Sequence, residues 1–209
     1  LDVSDYYKWD KSYPMRARNN FLLPNSYNLS RLTKDYYYLS GGKSIWQNSN
    51  FLNRNVIGST KKIESRDYIC VTGVHSFTIK RLRDKLNLKI FIEIEENLID
   101  YFFNEDDLKK TNYFNQKNQL KDYVNNQIKY SDLAFKFAAV NAVSLKNAKN
   151  KAEIPKLKLY VNMANGFFHE ELSRSLIGLC AMHIDVEQTS DLENITLCIE
   201  GEATKEDIE

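Results

Sequence analysis

Tyr68-Ile69-Cys70-Val71-Thr72-Gly73 opens the stretch that decides the fold, and Lys89-Ile90-Phe91-Ile92-Glu93-Ile94 closes it. A short continuous apolar run ended by glycine suits a buried strand of a parallel sheet. Between the two runs Ser76 stands where a helix would be capped, and Phe77, Leu82 and Leu86 follow as its apolar residues. Strand, helix, strand within about thirty residues is a βαβ unit, which joins parallel strands by a right-handed crossover. The expected class is α/β with a mostly parallel sheet.

Upstream, residues 1–7 (LDVSDYY) read as a strand end running into a polar turn, and 8–27, with Pro14 and Pro24, as an ordered loop. Leu29, Leu32, Tyr36 and Leu39 predict a helix that Gly41-Gly42 stop. Residues 43–66 lack periodicity and are expected to be mostly loop. Downstream, 96–129 read as one broken or two consecutive helices and Leu133–Phe137 as a strand. The polar segment 138–155, ending in Pro155, is the expected linker between a first unit (1–137) and a small α+β unit (156–209). In the second, Leu157, Leu159, Val161 and Met163 alternate with polar residues, a helix spans roughly 168–181 with Leu172, Leu176, Ile177 and Leu179, and strands follow near 182–186 and 195–199. Such alternation implies a sheet with one solvated face.

Lys+Arg 29 against Asp+Glu 28 leaves a net charge of +1, so no overall field favours nucleic acid or an anionic membrane. A hydrophobic fraction of 43% excludes global disorder. Cys70, Cys180 and Cys198 are odd in number and set in apolar runs, which predicts buried free thiols in a reducing compartment. No apolar run approaches the roughly 18 residues of a membrane span and no charged leader precedes one; the expectation is a cytoplasmic protein. Leu1 in place of Met, and a Thr-capped helix start in EATKEDIE (202–209), read as cut ends.

Ser40-Gly41-Gly42-Lys43-Ser44 mimics the tail of a phosphate-binding loop. A true loop of that kind has an earlier Gly, follows a strand and opens a helix whose amides hold phosphate. Here Tyr37 holds the earlier Gly position and a helix precedes the string, so it is expected to be a helix stop. No other GxxxxGK[ST] occurs in the sequence.

Several strings together resemble the phosphoribulokinase/uridine kinase family of P-loop kinases. Gly73-Val74-His75-Ser76-Phe77, Arg81-Leu82-Arg83-Asp84 and Leu88-Lys89-Ile90-Phe91-Ile92-Glu93 look like its Glu-Gly-Leu-His element, the following Arg-x-Arg helix and the next strand. Leu22-x-Pro24-x-x-x-Asn28-Leu29, with Leu39-x-x-Gly42-Lys43-x-Ile45, looks like the helix after the acceptor loop. Tyr123-Val124-x-x-Gln127-x-x-x-x-Asp132 is similar to the segment leading to the last strand of the kinase sheet. The likeness covers roughly residues 1–137, and a weaker one links the C-terminal unit to the extension of longer members. It implies a P-loop-kinase-like sheet whose first strand and phosphate loop would lie before Leu1. It also implies ATP- and Mg²⁺-dependent phosphorylation of a hydroxyl on a sugar, sugar phosphate or nucleoside.

Phosphoryl transfer is mostly positioning and charge neutralisation. By resemblance, the acceptor base would be an Asp where this chain has Ser4, with Asp5 one place later; Asp5 is either that base after a small shift or a loop-capping residue. Tyr7 and Lys11 stand where the family has substrate-loop residues, and His75, Arg81 and Arg83 match its acceptor-side positions; the two arginines fit a solvated helix face equally well. The family's metal-side Glu is replaced by Thr72, and its cationic lid corresponds to the acidic run Phe103-Asn104-Glu105-Asp106-Asp107. A hydroxyl brings no charge to Mg²⁺, and acidic groups oppose a triphosphate. No tight ATP or Mg²⁺ binding by this chain is expected, which leaves room for a non-catalytic relative or a fragment that binds a metabolite or pairs with another subunit. His169 and His183 are expected to be structural or exposed, and Tyr36-Tyr37-Tyr38 to split between core and surface.

Overall fold

The computed structural model describes residues 1–8, 22–48, 60–96, 98, 120–140, 156–164, 169–180, 182–188 and 193–201. The expectations for Lys11, for residues 103–107, for most of the helical segment 96–119 and for most of the linker lie outside them. The chain divides into two compact units, Leu1–Asn87 with Phe114–Tyr130, and Leu88–Tyr113 with Ser131–Glu209.

In the first unit the helix α1 spans Leu29–Ser40. Asn28 caps it, its side chain accepting from Arg31 N at 3.2 Å. Its buried face carries Leu29, Leu32, Tyr36 and Leu39, the residues whose spacing predicts it, while Tyr37 and Tyr38 are exposed. The helix ends as a glycine stop: the amides of Gly41, Gly42 and Lys43 return to the carbonyls of Tyr37, Leu39 and Tyr38, and Gly42 has φ 78°. The amides of Gly41–Lys43 are thus engaged by helix carbonyls, and a strand follows where a phosphate loop would open a helix. That strand, β1 (Ile45–Asn48), pairs antiparallel with β2 (Thr60–Ile63), so some of the expected loop 43–66 is a two-stranded ribbon.

The run Tyr68–Thr72 is no regular strand. It makes a single parallel bridge, Thr72 to Asp2, with Val3 N donating to the Thr72 carbonyl at 2.8 Å and Thr72 N to the Leu1 carbonyl at 2.9 Å. Ile69 and Val71 point into a core built on Val3, Tyr6, Tyr7, Tyr27, Leu32, Tyr36 and Leu82. Tyr68 and Cys70 point out, which corrects the expected burial of Cys70. The expected helix from Ser76 shrinks to α2 (Lys80–Arg83), because the Ser76 hydroxyl turns back to the Gly73 carbonyl at 2.6 Å and Ile79 is extended.

In the second unit β3 (Ile90–Ile94), β4 (Leu133–Ala139), β5 (Leu157–Ala164), β6 (His183–Gln188) and β7 (Asn194–Glu200) form one sheet in the order β3-β4-β5-β7-β6. β3 and β4 are parallel, as a crossover after β3 requires; the other described pairs of this sheet, each with a strand from 156–209, are antiparallel. β4 pairs with β5 along its whole length, and the sheet therefore runs across the segment expected to act as a linker. Shared burial explains it: Leu133 and Phe135 of β4 and Val161 and Met163 of β5 belong to one apolar cluster with Ile195, Leu197 and Ile199 of β7. Helix α3 (His169–Cys180) packs on it through Leu176, while Ile177 is 53% exposed. His183 is exposed beside Asp185, and Cys198 is a buried free thiol. No described helix is long and apolar enough to cross a membrane.

Candidate functional site

The bridge Asp2–Thr72 brings two parallel segments side by side in the first unit, and the chain turns away just past each of them. Ligand-binding loops of open α/β sheets gather at such carboxyl ends. After Asp2 comes a 3₁₀ turn, Val3–Tyr6, whose cap is the Asp2 carboxylate accepting from Ser4 N at 2.8 Å. Asp5 lies in that turn, half-buried. Burial is the main reason its pKa is raised, with the nearby Asp2 charge acting the same way and Lys61 of β2 against it. The cap of this turn is Asp2.

After Thr72 the backbone passes Gly73 at φ 119°, where a Cβ would stand 2.8 Å from Val3 Cβ. His75 follows, 1% exposed. Its Nδ1 lies 3.3 Å from Thr78 Oγ1, and its ring meets the Tyr27 ring edge-on at 5.1 Å, which in turn meets Tyr7 at 5.3 Å. Burial lowers its pKa to about 4, with a backbone hydrogen bond to Leu22 acting in the opposite direction, so the imidazole is neutral near pH 7. Burial also raises the Tyr27 phenol to about 12. Buried Ser4 Oγ and His75 Nε2 make no hydrogen bond of good geometry among the described residues.

Gln127 holds this loop in place. Its Nε2 donates to the carbonyls of Val74 at 2.6 Å and Tyr123 at 2.8 Å, and its Oε1 accepts from Phe77 N at 3.1 Å. Sequence reasoning assigned it no role; its signal was a polar side chain within the Tyr123–Asp132 string. Of the other expected site residues, Tyr7 is buried beside Tyr27, to which its backbone bridges. Arg81 is exposed. Arg83 donates to the Phe77 carbonyl at 2.9 Å and stacks 3.6 Å from the Tyr130 ring centre, so its guanidinium supports the same loop.

The space a Gly73 side chain would take is filled by Val3, the Gly41–Lys43 amides serve the helix end, and no described group of three His, Cys, Asp or Glu is arranged around a metal position. A cavity of about 510 Å³ lies in the second unit, but its lining is almost wholly apolar, from Leu133, Phe135, Val161, Leu172 and Leu176 among others, and no acid–base pair converges on it.

Phosphoribulokinase from Rhodobacter spheroides superposes on this chain with a TM-score of 0.67 over 94% of the chain and 78% of its own, at 13% identity. Uridine kinases from two strains of Clostridium perfringens are each 27% identical over 101 residues, 47% of this chain and 49% of theirs. The chain resembles the phosphoribulokinase/uridine kinase family in sequence and in fold. It spans about half the length of the curated relatives it matches. No protein-family model matches it. Asp5 and His75 follow the two bridged segments just described.

The neutral state of His75 has a measurable consequence. Its folded pKa is below the 6.5 of an unfolded histidine, so the unfolded chain takes up the proton first as pH falls. The stabilisation from the neutral ring is complete above about pH 6.5 and lost as pH drops toward 4, on the order of 3 kcal/mol in all. An NMR titration should place His75 near 4; a midpoint near 6.5 would contradict its burial.

Proposed function

We propose that this chain carries the acceptor side of an ATP-dependent kinase acting on a hydroxyl of a nucleoside, sugar or sugar phosphate. The observation that carries it is that the turns after two bridged segments carry a half-buried carboxylate, Asp5, and two buried polar atoms, Ser4 Oγ and His75 Nε2, that make no hydrogen bond of good geometry among the described residues. A carboxylate with a raised pKa is a stronger base toward a hydroxyl, and a neutral imidazole and a serine hydroxyl are suited to hydrogen-bonding a polyol. The phosphate cradle and the metal-side carboxylate are not among the described residues, so transfer itself is not assigned to this chain alone.

Calorimetric titration with uridine and with a pentose phosphate tests the proposal. Binding is expected, weakened about tenfold or more in Asp5→Asn, the scale of a lost hydrogen bond to a charged group. It should also fade on acidification from a pH above that at which an ordinary aspartate titrates, because the carboxylate accepts the hydroxyl only when ionised. Equal affinity in Asp5→Asn would sink the assignment. A second reading, a non-catalytic relative that binds the metabolite without transferring phosphate, draws on Ser4 and Thr72, hydroxyls where the family resemblance expects carboxylates. Retained acceptor binding with no phosphorylation in the presence of Mg-ATP would favour it.

A further inference from the structure

The buried face of α1 carries a charge among its apolar residues: Asp35 is 7% exposed, between buried Leu32 and Leu39 and next to buried Tyr36. Desolvating a carboxylate is costly unless hydrogen bonds and an opposite charge offset it. Both are present. The Tyr6 phenol donates to Asp35 Oδ2 at 3.0 Å, and Arg31 Nε, one turn back on α1, lies 3.7 Å from the same oxygen. Tyr6 is the residue after Asp5 in the 3₁₀ turn Val3–Tyr6, and it is itself buried. Its carbonyl accepts from the amide of Asn28, the α1 cap, at 2.7 Å.

The neighbour of Asp5 is thus fixed to α1 at two points, by its backbone at the helix start and by its phenol about two turns further along. One point would let the turn rotate; two set its orientation, and with it the direction in which the Asp5 side chain leaves the backbone. A phenylalanine would fill the same core space, so what distinguishes this tether from packing is the bond between phenol and carboxylate. We infer that Asp35, acting through Tyr6, is a positioning residue for the Asp5 carboxylate; the inference rests on the reading of Asp5 as the acceptor-side base. A carboxylate aimed at a hydroxyl must sit within hydrogen-bond reach of it, and a short exposed turn without the tether would not hold that aim.

NMR titration of the Asp5 carboxyl reads the tether directly. In the unaltered chain burial raises its midpoint above the ordinary 3.8. Tyr6→Phe and Asp35→Leu each remove one partner of the bond, so the turn should loosen, the carboxylate gain water and the midpoint fall toward 3.8. Asp35→Asn removes the same charge but keeps an oxygen for the phenol, and should leave the midpoint in place. Asp2, Lys61 and the Leu1 amino group, the charges that act on Asp5, are unchanged in every variant. Tyr36→Phe controls for general loosening: it takes from the same core a phenol bonded to the Lys85 carbonyl at 3.0 Å, and should not move Asp5. Uridine affinity should fall about tenfold in Tyr6→Phe, the scale of a lost bond to a charged group. An Asp5 midpoint unmoved by Tyr6→Phe and Asp35→Leu, or moved as far by Tyr36→Phe, overturns the inference. A midpoint that shifts as expected in a chain that binds neither uridine nor a pentose phosphate upholds the tether and removes the acceptor reading instead. Should Tyr6→Phe or Asp35→Leu fail to fold, the other decides.

Discussion

Gly73→Ala is expected to destabilise the first unit by about 4 kcal/mol, enough to leave it largely unfolded if its stability is at the low end for a small domain. Two costs combine. A side chain at φ 119° is strained by roughly 1–3 kcal/mol. The new methyl would also stand 2.8 Å from Val3 Cβ, and Val3 is fully buried, so the overlap must push the two bridged segments apart at a further 1–3 kcal/mol or so. Urea unfolding of the variant measures the sum. A change below about 1 kcal/mol would mean that the Asp2–Thr72 bridge is not held as described.

Gln127→Ala should cost about 3 kcal/mol. Removing the amide leaves the Phe77 N–H and the Val74 and Tyr123 carbonyls without their side-chain partner, and an unsatisfied buried group costs about 1–3 kcal/mol. Gln127→Glu separates shape from bonding, since it fills the same space and keeps the acceptor but loses both donors. Chemical denaturation should rank the wild type above Gln127→Glu and Gln127→Ala. With the clamp gone the 74–77 turn loosens, and the His75 pKa should move up from about 4 toward that of a solvated ring. An unaltered His75 titration in both variants would show that Gln127 does not position this loop.

Much of this architecture was legible from side-chain periodicity where one face is buried. Leu29, Leu32, Tyr36 and Leu39 announce α1 because one helix face meets the core. Leu157 to Met163 announce β5 because odd positions share the apolar face. The β1–β2 ribbon was not legible: Thr60-Lys61-Lys62-Ile63 is nearly all exposed, and backbone pairing leaves no pattern in side chains. The partner of β4 was hidden for a related reason, since pairing across 138–155 depends on which strands share a core and not on the segment between them. At the candidate site, Gly73 and His75 stand out in the sequence, although the run before them makes a single bridge and not the expected strand. The burial of His75, the role of Asp2 as the cap and the clamp from Gln127 were not legible, because each depends on contacts that spacing along the chain does not reveal.

One measurement bears most directly on the acceptor site: amide chemical shifts of the labelled chain during titration with uridine and, separately, with Mg-ATP. Uridine should move the amides of Ser4–Tyr7 and Gly73–Phe77 in a saturable way, and Mg-ATP should leave them unmoved. Micromolar binding of Mg-ATP at those amides, or uridine shifts confined to other regions of the chain, would contradict an acceptor site built on Asp5 and His75.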